Sequence, residues 1–245
     1  MMPSQRSSYD RFATTRWSVV MRTAASASPD ASTALTELVQ RYWYPVYAYT
    51  RRCGHSPSIA QDVARTFLAI LMRDFRDGAG LHATGQFRRF LLERLNEFLA
   101  GDWREAVDAQ NEIELFAPTD LEARYLRDNI DANSPEQAYQ RSFALELIAR
   151  ALKRLRAEAT RSGHLEMYVV LEPYLAREPV AGEYEASATQ LGTRPLALIV
   201  ALKRLRQRLR ELVGEELADT VTSKDELANE QAALHSILCA AQYTS

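Results

Sequence analysis

Apolar residues recur at three- and four-residue intervals along most of this chain, and only nine Gly and nine Pro interrupt its 245 residues. That rhythm puts one face of each segment against a core, whereas half-buried strands would alternate, so the chain reads as all-α. A helix over Thr15–Ala25 follows the cap candidates Thr14 and Thr15. Ser28-Pro29-Asp30 breaks it and starts a second helix, which carries Leu35, Val39, Tyr42, Trp43, Val46 and Tyr47 towards Arg51-Arg52. Gly54-His55-Ser56-Pro57 is a turn, and Ser56 or Ser58 can cap the helix that follows. Its core stripe is Ile59, Val63, Phe67, Ile70 and Leu71. A Gly-rich loop over Gly78–Gly85 precedes a fourth helix, striped by Phe87, Phe90, Leu91, Leu95 and Phe98 and running to Trp103. Further on, Ser134-Pro135-Glu136 starts a helix to about Arg161. Leu165–Ala176, Glu183–Gln190 and Pro195–Val213 follow as helices, with a tight turn at Gly192.

Charge is sorted into blocks along these helices. Residues 1–100 carry 13 Lys+Arg against 8 Asp+Glu, whereas residues 101–140 carry 3 against 10. Residues 141–213 return to 13 against 8, and residues 214–245 fall to 1 against 6. The net charge of −2 hides this pattern of two basic modules joined by an acidic connector. It suits two modules that each meet a polyanion. The acidic stretch has few large apolar residues at a steady period and reads as a linker, locally helical near Asp120–Arg127.

Several function classes lack the residues they need. Cys53 and Cys239 have no paired-ligand spacing, and His55, His82, His164 and His235 have no metal-ligand spacing. There is no HExxH, GxSxG or phosphate-loop motif, so an enzyme, a metal or another cofactor is not expected. No apolar run reaches the roughly 18 residues of a membrane span, and the N-terminus has no apolar signal core. A cytoplasmic setting without membrane attachment is the simplest expectation. The hexapeptide ALKRLR occurs at 151–156 and 201–206, but a stacked repeat array needs a third unit and none appears.

The strongest binding signal is ALKRLRQRLR at 201–210, where Lys203, Arg204, Arg206, Arg208 and Arg210 flank the stripe Leu198, Leu202, Leu205, Leu209 and Leu212. Upstream, Ala188 and Gly192 are a helix-turn-helix cue: a small residue lets two helices approach, and glycine supplies the turn. The second helix would enter a major groove with arginines on the phosphates.

Five stretches occur in order: TTRWSVV (14–20), RYWYPVYAYTRRCGHSPSIAQD (41–62), QFRRFLLERLNEFLAGDW (86–103), SPEQAYQRSFALELIARALKRL (134–155) and LKRLRQRLRELVGEELADTV (202–221). Through them the chain resembles the extracytoplasmic-function sigma factors of the RNA polymerase sigma-70 family, in particular a subset linked to Ser/Thr kinases. The resemblance implies a region 2-like domain over 12–103, an acidic linker over 104–133, a region 4-like helix-turn-helix domain over 134–213 and a tail over 214–245. It implies a non-enzymatic subunit that docks on the β′ clamp helices and β flap of core RNA polymerase and directs it to promoter DNA. In region 2, Arg88, Arg89, Arg94 and Trp103 are the candidates for holding unpaired DNA. In region 4 the candidates are Thr193, Arg194, Lys203, Arg204, Arg206 and Arg208.

Three departures from that family pattern shape the expectation. The polymerase-contact helix keeps only Asp62 of its acids, with Arg65 and Thr66 beside it and Thr66 standing where relatives carry Glu. A phosphate on Thr66, or secondarily on Ser58, would restore about −1.5 to −2 of charge, so activation by a Ser/Thr kinase is expected there. After Trp103 the chain turns acidic instead of basic. The recognition helix opens Thr193-Arg194-Pro195-Leu196-Ala197-Leu198-Ile199, leaving only Thr193 and Arg194 to read bases. The rival expectation is a degenerate homologue that acts as a protein-interaction module or antagonist without reading a promoter.

Overall fold

The computed structural model describes residues 29–77, 87–109, 120–129, 132–221 and 223–242. All the secondary structure among them is helical, as the apolar rhythm requires. The expected helix over Thr15–Ala25, the TTRWSVV stretch and the Gly78–Gly85 loop lie outside the described residues.

In chain order the helices are α1 (Pro29–Arg52), α2 (Pro57–Arg76), α3 (Phe87–Ala100), α4 (Trp103–Ala109) and α5 (Leu121–Asp128). They continue as α6 (Pro135–Arg161), α7 (Leu165–Leu171), α8 (Glu183–Gln190), α9 (Pro195–Ala218) and α10 (Lys224–Gln242). Gly101 separates α3 from α4, so the helix expected to reach Trp103 ends at Ala100. The helix expected over Leu165–Ala176 tightens to a 3-10 turn at Glu172–Tyr174, where Pro173 has no N–H for an α-helical bond. Two compact units result: Leu147–Glu216, and the described residues up to Glu146 together with those from Leu217 onward. The division falls within α6 and α9, beyond the expected start at residue 134 and just past the expected end at residue 213.

The first unit is built around α1. Every residue from Arg41 to Thr50 is buried, including Tyr42, Trp43, Tyr44 and Tyr47. Tyr42 meets Phe87 edge-to-face at 5.0 Å and stacks on Phe143 at 5.3 Å, joining α1, α3 and α6. Burying aromatic side chains of this size supplies most of the driving force for such a core. α2 lies against α1, and its start is fixed by Ser56, whose Oγ accepts from the Ile59 N–H at 3.3 Å, with Pro57 in the first turn. Ser56→Ala is expected to cost about 1 kcal/mol of stability in denaturant unfolding. An unchanged midpoint would mean that solvent satisfies that N–H equally well.

The acidic block does not hang free of this unit. In the 104–133 stretch expected as a linker, α5 packs on α1. Glu122 receives Arg51 Nε at 2.8 Å and Nη2 at 2.7 Å, and Tyr47 donates to it at 2.6 Å. Arg51 beside it holds the Glu122 carboxyl below the usual carboxylate range. Tyr44 donates to Asp128 at 3.0 Å, and the Arg124 guanidinium lies 3.8 Å over the Tyr44 ring. The C-terminal segment folds onto the same unit. Phe87 N–H donates to the Thr220 carbonyl at 3.2 Å, and the buried Arg41 donates to Asp219 at 2.8 Å.

The second unit has two clusters of buried side chains. One joins Ala151, Leu155, Ala159, Tyr168 and Leu212, and the other joins Leu171, Ala188, Leu198 and Leu202. Both copies of ALKRLR contribute leucines to these clusters and leave Lys153, Arg156, Lys203 and Arg204 exposed.

Candidate nucleic-acid interface

α8 and α9, where the helix-turn-helix was expected, are two helices joined by a tight turn at Gly192. Gly192 adopts φ +61°, a conformation that strains a side-chain-bearing residue, and a Cβ there would meet nothing within 4 Å. The glycine is therefore needed for backbone freedom and not for space. Thr193 N–H closes the turn on the Ala188 carbonyl at 2.9 Å. Ala188 is 3 % exposed beneath α9, where a larger side chain would push the helices apart. At the opening of α8, Glu183 accepts from the Val180 N–H at 2.7 Å and from both Arg177 terminal nitrogens. Those donors hold its carboxyl down to about 2.

The cations of α9 divide into two sets. Arg194, just before α9, and Lys203, Arg204 and Arg210 within it are exposed and form no ion pair among the described residues, with Arg210 donating to Gln207 at 2.7 Å. Arg206 is turned inward: it donates to the Tyr174 carbonyl at 2.7 Å and the Arg177 carbonyl at 2.6 Å, and pairs with Glu178. Arg208 forks onto Glu158 at 2.8 and 2.9 Å and reaches Glu211 at 3.1 Å and Glu215 at 3.3 Å. Both were expected at DNA phosphates, and both are engaged inside the unit. A guanidinium satisfied by carboxylates and carbonyls must break those bonds before it can grip a phosphate.

The outward face of the first turns of α9 is apolar. Leu196 is 70 % exposed, with Ile199 and Val200 also exposed beside the half-buried Thr193. Leu196, Ala197 and Val200 line an open groove of about 860 Å³ with Leu155, Met167 and Leu205, and Arg194 and Arg204 stand at its edge. Thr193 and Arg194 remain the polar groups available to meet a base edge at this end of α9.

In the first unit the four candidates for unpaired DNA are scattered in character. The Arg89 side chain is 81 % exposed and forms an i,i+4 pair with Glu93. Arg94 pairs with Glu97 at 2.8 Å and approaches Asp74 at 3.7 Å. Arg88, half-buried, pairs with the buried Glu230 at 2.8 Å. Trp103 was expected to stack bases, but it is 8 % exposed, with the His55 ring edge-on at 5.3 Å and Arg104 at 4.5 Å. A ring already covered on its face offers no stacking surface.

On α2, Asp62 and Arg65 pair at 3.3 Å on the exposed flank, so the one remaining acid of the expected polymerase contact is partly neutralised. Thr66 points the other way and is 3 % exposed. Three residues along a helix from the buried Val63 and one before Phe67, it falls on the core stripe, and a kinase cannot reach its hydroxyl in this fold. Ser58 is exposed in the first turn, its Oγ 3.1 Å from that of Ser56. The residues that sequence reasoning missed are the acidic partners Glu122, Asp219 and Glu230, which lie 71, 178 and 142 positions from the arginines they pair with. No local pattern connects residues so far apart.

Among the described residues no cluster of His, Cys, Asp and Glu could hold a metal ion, and no helix is long and apolar enough to cross a membrane. Comparison with protein-family models, with curated proteins and with solved structures finds no match for this chain.

Proposed function

We propose that this chain is a sigma-type initiation subunit, which binds core RNA polymerase and brings it to promoter DNA through the α8–α9 helix-turn-helix. One observation carries the reading: Arg194, just before α9, and Lys203 and Arg204 within it lie exposed and form no ion pair among the described residues, and a glycine turn joins α9 to α8. Three cations along one helix and at its start supply phosphate contacts, which position a protein on a duplex without specifying sequence. With Thr193 and Arg194 the only base-reading groups near the turn, α9 contributes affinity more than choice of promoter. Kinase control, if it acts on α2, acts through Ser58. There a phosphate sits at the positive end of a helix and adds the charge the polymerase contact lacks.

The second reading is an interaction module or antagonist, favoured by the apolar Leu196, Ile199 and Val200 on the face where a reading helix needs polar groups. Run-off transcription with core polymerase separates the two readings. A promoter-dependent transcript, raised by kinase treatment and no longer raised in Ser58→Ala, is the expected result. Polymerase captured without any transcript supports the antagonist. Failure to bind polymerase at all removes both.

A further inference from the structure

The C-terminal acidic block makes, beside the Arg41–Asp219 pair, a second contact outside the helix-turn-helix. Glu230 on α10 is 2 % exposed, and its carboxylate accepts from Arg88 Nη2 at 2.8 Å. The guanidinium lies 5.3 Å from the centre of the Phe143 ring, which is itself stacked on Tyr42. Arg88 Nε is buried without a hydrogen-bond partner, and Tyr139 fixes the backbone by donating to the Arg88 carbonyl at 3.0 Å. A positioned guanidinium with a buried, unpartnered Nε is suited to take a phosphate by charge-assisted hydrogen bonds. Here a carboxylate holds that place.

The helix that supplies this carboxylate buries little of its own surface. Among its described side chains only Glu230 and Leu234 are buried, and half-buried Leu227 and Ile237 complete the stripe at helical spacing. By contrast, ten consecutive residues of α1 are buried, Arg41 to Thr50. A buried ion pair is a weak source of net stability, because removing both charges from water offsets most of their attraction. An apolar side chain at position 230 would attach the helix at least as firmly. The pair is better suited to exchange, since an incoming phosphate offers Arg88 the same kind of oxygen that Glu230 gives up.

We propose that α10 is an anionic cover over a phosphate site centred on Arg88, displaced when single-stranded nucleic acid binds. The inference rests on the nucleic-acid reading above. It accounts for an arginine expected at DNA that is found paired within the chain: the pair is the closed state.

The test uses the full chain and a fluorescein-labelled single-stranded oligonucleotide, with anisotropy for affinity and amide hydrogen exchange over 224–242 for the state of α10. Oligonucleotide is expected to speed exchange in α10 of the parent. Glu230→Gln is expected to bind about tenfold tighter, as for a site that is open roughly a tenth of the time in the parent. Leu234→Asp also loosens α10 but adds negative charge, so a gain in affinity there cannot come from charge removal. Arg88→Gln placed in the Glu230→Gln background is expected to abolish the gain. If the parent binds, neither loosened variant binds tighter and α10 exchange ignores the oligonucleotide, the cover is wrong while nucleic-acid binding stands. A gain that survives Arg88→Gln overturns the Arg88 site. Absence of single-strand binding in every variant overturns the cover and leaves duplex binding through α9 to its own test.

Discussion

Truncating Leu198 to alanine is expected to lower stability by about 3 kcal/mol, with a fall in the thermal midpoint of roughly 10 °C or more. Leu198 is fully buried against Leu171, Ala188 and Leu202, so the lost methyl groups leave a cavity that two short helices joined by a tight turn cannot easily close. The same change at Leu196, two residues earlier on α9 and 70 % exposed, is expected to shift stability by no more than about 0.5 kcal/mol. Thermal unfolding followed by circular dichroism, with far-ultraviolet spectra to establish folding at low temperature, measures both. Equal effects at the two positions would mean that α9 is not seated as described, and the helix-turn-helix geometry would go with it.

Replacing Arg194, Lys203 and Arg204 together by glutamine is expected to weaken duplex binding roughly a hundredfold near 0.15 M salt. It should also reduce the slope of log affinity against log salt by about 2.7, the counterion release of about three phosphate contacts. Glutamine at Arg208 is expected to leave that slope unchanged and to reduce stability instead, because its guanidinium is committed to Glu158, Glu211 and Glu215. Filter binding across a salt series distinguishes the two sets. A slope that falls for Arg208→Gln and not for the triple variant would reverse the division of cations drawn from the structure. An unaltered slope for both would place any nucleic-acid contact elsewhere, and the apolar face of Leu196, Ile199 and Val200 would then be the better guide to function.

These contrasts mark where the sequence was legible. The helices and most of their bounds followed from spacing and punctuation: Pro29, Pro57, Pro135 and Pro195 each lie in the first turn of a helix, and Gly192 is the turn between two. The tyrosine-rich run of α1 sits in the core, where its apolar rhythm placed it. Less legible was the fate of each charge. In the sequence Arg204 and Arg206 are equivalent, yet a rotation of 200° around α9 leaves one in solvent and carries the other to the carbonyls of Tyr174 and Arg177. Thr66 showed a similar ambiguity. Its type suggested a modifiable flank, and its position on the stripe with Val63 and Phe67 decided for the core.

The block pattern of charge suits two polyanion-binding modules and an acidic connector. The structure turns part of that acid inward: Arg51 pairs with Glu122, Arg41 with Asp219, and Arg88 with Glu230. By itself the sequence determined that the chain is helical, because a 3.6-residue rhythm is a local property written into neighbouring residues. Which cations remain free to meet a partner was decided only by the tertiary structure, because an ion pair forms wherever the fold brings opposite charges within a few ångströms, however far apart they stand along the chain.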